Sequence, residues 1–304
     1  MIEFDGIITN PPYADSSHNE QKNTLWRRWF LFDKLIKDKG VFAEIIPSSW
    51  MGSPPLIKNN FLNEDLKVSK NITHINLDEC GKYFKGVGQK FSYFVYTKEP
   101  YKNKTNLVVK NIDNSVDSFE ENLNDVIFEV FPRDLSKTAI SILDKTIVNT
   151  TPLGILNTTV CHGNNKHLWK ESIQNEFKYP IEKTPNKTIF YSKKHPHQGV
   201  PKIIIPTTTY YRVMYYTTHG TSQSFCYYNL KDGENKDIVL NNINNKLFDY
   251  INECFRYSNW NSVNLLKKLP NLPMDKKLSD LEIYKYFNLS DEEINHINKI
   301  IEWR

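Results

Sequence analysis

Apolar and polar positions first organise themselves at the N-terminus, where Phe4-Asp5-Gly6-Ile7-Ile8-Thr9 reads as one strand ended abruptly by Asn10-Pro11-Pro12-Tyr13. Residues 24–38 then place Leu25, Trp29, Phe32 and Ile36 on one face, the spacing of an amphipathic helix. Val41-Phe42-Ala43-Glu44-Ile45-Ile46 follows as a second strand, closed by Pro47-Ser48-Ser49-Trp50. Residues 72–78 and 91–97 are two more strands, rich in β-branched and aromatic residues, with Tyr83-Phe84-Lys85-Gly86-Val87-Gly88 between them. Strand and helix alternate through residues 1–110, the pattern of an α/β domain. Residues 111–149 are more acidic and mix strand and helix signals, which makes them a bridge.

From residue 150 the pattern becomes β-rich and loop-rich, and residues 150–304 form the second domain. Its end is helical, over residues 244–257, 279–287 and 290–303, with Pro270 and Pro273 interrupting the first two. Ser290 and Glu293 stand at capping-box spacing before Ile294, Ile297 and Ile301 on one face. No internal repeat or low-complexity run is present.

With 304 residues, 39% of them apolar and 13% aromatic, the chain can bury real cores. The four cysteines, Cys80, Cys161, Cys226 and Cys254, form no Cys-x-x-Cys pair, and Cys161-His162 is too isolated for a metal site. Reduced thiols in a cytoplasm are expected, bacterial or that of a virus's host. No apolar run is long enough to cross a membrane.

A net charge of +4 and a pI near 8.6 are mild, but the charge is unevenly spread. No acidic residue lies between Glu182 and Asp232, whereas Lys187, Lys193, Lys194, His195, Lys202 and Arg212 fall there, interleaved with aromatics such as Tyr210. Cations for phosphates beside amphipathic rings are the composition of a double-stranded DNA surface. Alternation in residues 202–216 also fits ordinary strands with tyrosine on the wet side.

Asn10-Pro11-Pro12-Tyr13 carries the candidate chemistry. An exocyclic amine of a nucleobase is a poor nucleophile, because its lone pair is delocalised into the ring. The Asn10 side-chain oxygen and the Pro11 carbonyl can each accept one N–H, which leaves the lone pair aimed at an electrophilic methyl group. Pro11 and Pro12 stiffen the turn, and Tyr13 offers a flat face for a base swung out of a duplex. The same tetrapeptide also suits an ordinary turn after a buried strand. Its place after an apolar strand favours chemistry, since open α/β sheets bind ligands at the carboxyl ends of their strands. Phe84-Lys85-Gly86-Val87-Gly88 matches a Phe-x-Gly-x-Gly cofactor loop, but the aromatic run after it reads as a strand and not as the helix such a loop requires.

With Asn10-Pro11-Pro12-Tyr13, Pro47-Ser48-Ser49-Trp50 and the loop before Phe91, the chain resembles the adenine-N6 DNA methyltransferases of modification methylases and single-chain restriction–modification enzymes. The resemblance implies S-adenosylmethionine as methyl donor and the C-terminal half of a Rossmann-like methyltransferase sheet. A mixed, β-rich target-recognition domain with a helical tail would follow it. It also implies that Phe84, or failing that Phe91, stacks on the flipped adenine beside Tyr13. The family's cofactor-binding strands would precede the Asn-Pro-Pro-Tyr strand, so a covalently upstream segment or a separate N-terminal half is the expected partner. Methylases of RNA or of protein glutamine share the motif, and a non-catalytic DNA-binding specificity subunit or a decayed remnant is the reading from another class.

Overall fold

A computed structural model describes residues 3–12, 32, 34–52, 70–84, 90–123, 130–208, 211, 214–256 and 260–302. The chain divides into two compact units, Met1–Ser136 and Lys137–Arg304. The division differs from the bridge over residues 111–149: the sheet claims the first part of that stretch, and the second unit claims its last thirteen residues.

In the first unit, β1 (Phe4–Thr9), β2 (Ile36–Pro47), β3 (Asn71–Leu77), β4 (Phe91–Thr97), β5 (Thr105–Lys110) and β6 (Val116–Glu121) form one mixed sheet in the order β1-β2-β4-β3-β5-β6. β1 runs parallel to β2 and β3 parallel to β5, while β4 is antiparallel to both β2 and β3. The carboxyl ends of β1, β2, β3 and β5 therefore share one edge of the sheet, where β4 begins. One face is filled by Phe42, Ile46, Phe94 and Tyr96, with Trp50 set edge-on against Phe94 and Phe131. The Trp50 indole N–H donates to Ser92 Oγ at 2.8 Å, so the polar atom of this buried ring is satisfied.

Two details depart from the sequence pattern. The helix expected over residues 24–38 lies mostly outside the described residues, and its last three, Ile36 to Asp38, belong to β2. Lys39 has φ 64°, and a Cβ at Gly40 would meet Ile36 Cγ2 at 2.5 Å and the backbone oxygens of Lys37 and Asp5 at 2.9 and 3.0 Å. This bulge lets the chain join the sheet early: Phe4 pairs with Ile36 and Gly6 already with Val41. The second detail is β6, Val-Asp-Ser-Phe-Glu-Glu, which lies in the stretch read as a bridge of mixed strand and helix signals. It is an edge strand with alternating exposure, antiparallel to β5.

The second unit opens with α1 (Lys137–Leu143) and holds two four-stranded sheets. Its strands are β7 (Leu156–Asn157), β8 (Trp169–Lys170), β9 (Tyr179–Thr184), β10 (Lys187–Tyr191), β11 (Lys202–Pro206), β12 (Tyr215–Thr217), β13 (Gly220–Thr221) and β14 (Phe225–Asn229). The sheet orders are β13-β9-β10-β8 and β12-β11-β14-β7. Glu182 of β9 ties the sheets together, since its buried carboxylate accepts from Tyr215, Thr217 and Thr188 and pairs with His219 at 2.7 Å. The tail contains α2 (Lys236–Ile243), α3 (Lys246–Cys254), α4 (Val263–Leu266), α5 (Asp280–Tyr286) and α6 (Asp291–Glu302). The Ser290–Glu293 capping box forms, and Glu293 also binds Ser141 and Lys145, anchoring α6 to the start of the unit.

Candidate functional site

The carboxyl edge of the first unit's sheet gathers the residues that the sequence singles out. β1 ends at Thr9, in register with Glu44 of β2, and the chain leaves through exposed Asn10, buried Pro11 and exposed Pro12. Tyr13 lies outside the described residues. β2 ends at Pro47, and its next residue, Ser48, reaches β3: the Ser48 hydroxyl donates to Asp78 at 2.5 Å and its N–H to the Lys90 carbonyl at 2.9 Å. Asp78 stands in the left-handed region at φ 62°, a conformation that costs free energy for a non-glycine residue and recurs at functional sites. Its carboxylate also pairs with Lys90 at 3.0 Å, and burial lowers the Lys90 pKa despite that pairing.

Phe84 is reached from this edge. The 3-10 turn over Glu79–Tyr83 follows Asp78, and Phe84 closes it through an N–H bond to the Gly81 carbonyl. Its ring stacks on Phe91 with centroids 4.1 Å apart. Phe91 is buried at the start of β4, so Phe84, half-buried, is the ring of this pair that retains an accessible side. Cys80 beneath them is inert: burial pushes its thiol up to about 12, and its Sγ donates to the Phe91 carbonyl.

One group at this edge was not singled out by sequence reasoning. Glu44 is 1% exposed, and among the described residues neither carboxyl oxygen has a hydrogen-bond partner. Burial pushes its pKa up to about 8, against the opposing pull of Lys70. The one signal was a carboxylate inside an otherwise apolar strand.

In the second unit, the segment free of acidic residues divides into surface and interior. Lys187, Lys193 and Lys194 are exposed, and Lys187 meets Glu171 at 2.8 Å. Two residues expected on the DNA surface are interior, and this corrects the sequence reading. Lys202 has no exposure, and its ammonium donates to the carbonyls of His197, Val200 and His219 at 2.6–2.9 Å. It is a cation closing a loop, and burial lowers its pKa to about 8. His195 is 1% exposed, accepts from the His197 N–H and meets Thr221; burial lowers its pKa to about 4, so the ring is neutral and structural. Of the tyrosines in this segment, Tyr191, Tyr211, Tyr227 and Tyr228 are core residues, whereas Tyr216 is exposed. Tyr210 and Arg212 lie outside the described residues.

Among the described residues, no His, Cys, Asp and Glu gather as a metal site, and no helix is long and apolar enough to cross a membrane. No glycine-rich turn leads from a strand into a helix at the carboxyl edge of the described sheet. β4 begins at Phe91, and residues 85–89 between it and Phe84 lie outside the described residues.

No family model and no curated protein matches this chain. Among solved structures it is similar to the type IIL restriction–modification enzyme MmeI in complex with DNA, at 7% identity and TM-score 0.45, over 85% of this chain and 46% of that one. It is also similar to the type IIG restriction endonuclease BpuSI, at 11% identity and TM-score 0.30, over 90% and 43%. A nuclease-deletion mutant of the type ISP restriction–modification enzyme LlaGI, in complex with a DNA substrate mimic, follows at 13% identity and TM-score 0.43, over 88% and 40%. The chain spans less than half the length of each of these proteins. At such identities the chemistry must be argued from this chain's own side chains.

Proposed function

We propose that this chain is the catalytic and target-recognition half of an S-adenosylmethionine-dependent DNA adenine-N6 methyltransferase. Asn10 and the Pro11 carbonyl accept the two protons of the adenine amine, Tyr13 and Phe84 stack on the flipped base, and the second unit grips duplex DNA through exposed lysines. The observation that carries the reading is the exit of Asn10-Pro11-Pro12 from the carboxyl end of a parallel strand, on the sheet edge that also bears Asp78 and leads to Phe84. That is where open α/β sheets bind their ligands.

The described residues do not by themselves fit the cofactor, because they include no phosphate- or nucleoside-binding turn. The methyl donor is therefore assigned to a further polypeptide segment that pairs with β1. Support comes from β1 itself. It is an edge strand among the described residues, with Ile8 89% exposed and Phe4 46% exposed, and an apolar open edge is a site for strand pairing. A DNA-binding subunit without activity is the competing reading, favoured by the same lack of a cofactor turn.

Single-turnover methylation by the complemented enzyme, measured beside DNA affinity, separates the two. Asn10→Ala should lose on the order of 3 kcal/mol or more of transition-state stabilisation, with affinity held within about threefold. Near-normal turnover in the variant removes the catalytic reading of the motif.

A further inference from the structure

In the second unit, Trp169 is held in one place. Its indole N–H donates to the Gly163 carbonyl at 2.9 Å, the Gly163 N–H donates to Gln223 at 2.8 Å, and the ring packs with Cys161, Ile181, Ile189 and Tyr191. Lys183 of β9 lies across it, with Nζ 4.0 Å from the ring centroid. Its stem runs past Gly163, where a Cβ would come within 3.4 Å of Lys183 Cγ. A lysine on an ordered aromatic face loses less freedom on meeting an anion than one waving in water.

Two further cations come close to it. Lys187 stands at the start of β10 across the hairpin, next to the Thr184 pairing, and Lys166 opens the 3-10 turn (Lys166–Leu168) that leads into β8. Lys187 thus stands opposite the neighbour of Lys183, and Lys166 stands three residues before the Trp169 that Lys183 covers; the lowered Lys183 pKa, set by burial first and then by the charges of Lys187 and Lys166, agrees with this placement. Cation–π packing alone would need only Lys183. Three like charges drawn together are self-repulsive, and the carboxylate that meets them, Glu171, is 72% exposed and pairs with Lys187 at 2.8 Å. An exposed pair of this kind is weak and yields to a competing anion.

We propose that Lys166, Lys183 and Lys187 form a preorganised clamp on the phosphodiester backbone of duplex DNA, with Lys183 steadied by Trp169. The clamp rests on the DNA-binding part of the proposed function and names the groups that perform it. It contacts phosphates and reads no base, so it contributes equally to all sequences. Lys166 and Trp169 precede the segment free of acidic residues, which is why charge distribution along the chain alone did not reveal them.

The test is a salt titration of binding to two labelled duplexes of unrelated sequence, read by fluorescence anisotropy. Each lost phosphate contact reduces the slope of log K against log salt by about 0.9. Lys183→Gln should reduce it by about one, and the triple Lys166→Gln, Lys187→Gln, Lys183→Gln variant by about two to three, equally for both duplexes. A second measurement uses the unaltered protein and does not depend on variants folding. Bound duplex should protect these three lysines from an amine-reactive reagent, as read by peptide mass spectrometry. Duplex binding with unchanged slopes and no protection overturns the clamp and leaves the methylation reading intact, since Asn10→Ala turnover tests that separately. Tighter binding to single-stranded RNA than to duplex overturns the choice of partner, and no duplex binding at all overturns the clamp together with the DNA-binding part of the reading.

Discussion

Glu44 shows how much one residue's environment can do. Its pKa is raised from 4.5 to about 8, so between those values the folded chain holds a proton that the unfolded chain has released. Stability therefore falls as pH rises from about 4.5 to 8, with a ceiling of about 5 kcal/mol if the shift is fully realised. Glu44→Gln cannot titrate and should lose this dependence. Urea midpoints of the two proteins should diverge in the variant's favour between pH 5 and pH 8, and parallel profiles would show that the carboxyl is solvated. The sign is opposite at His195, whose pKa is lowered to about 4, so its share of stability is lost as pH falls from 6.5 toward 4. Neither behaviour can be read from residue type, because a lone Glu in a strand and a His in a basic segment are surface residues more often than buried ones.

At the scale of elements, periodicity carried the reading well where one face is buried. β1, β3 and β4 lie where alternation and β-branched residues put them, and the Ser290–Glu293 box caps α6. The pattern failed where a long-range contact decides. Residues 36–38 continue a helical spacing, yet they belong to β2, and Ile36 pairs with Phe4 of β1 across the Lys39–Gly40 bulge. Gly40→Ala tests this. The added Cβ would meet backbone oxygens, which cannot rotate away, so the first unit should lose about 1–3 kcal/mol in denaturant unfolding. An unchanged midpoint would show that β1 and β2 can separate at little cost. α2 was missed for a related reason. Its sequence, Lys-Asp-Ile-Val-Leu-Asn-Asn-Ile, has poor helix formers, and it is secured by buried Asn242, which binds Pro273, Lys276 and Leu278.

For the whole molecule, the decisive measurement is calorimetry with S-adenosylmethionine. The chain alone should bind it no better than about millimolar (about −4 kcal/mol), because the described residues supply no cofactor turn. Micromolar one-to-one binding would show a complete pocket and overturn the need for a segment pairing with β1. The sequence by itself determined the α/β character of the first unit, the β-rich second unit with its helical tail, and the Asn-Pro-Pro-Tyr turn at a strand end. Local periodicity, proline geometry and capping chemistry act over a few residues, and a linear pattern records them. Only the tertiary structure decided which strands neighbour one another and where the first unit ends. It alone showed that Lys202 and His195 are interior, that among the described residues neither Glu44 carboxyl oxygen has a hydrogen-bond partner, and that the turn bearing Lys166 leads to the ring that Lys183 covers. Burial and charge proximity depend on residues far apart in the chain, and no local pattern encodes them.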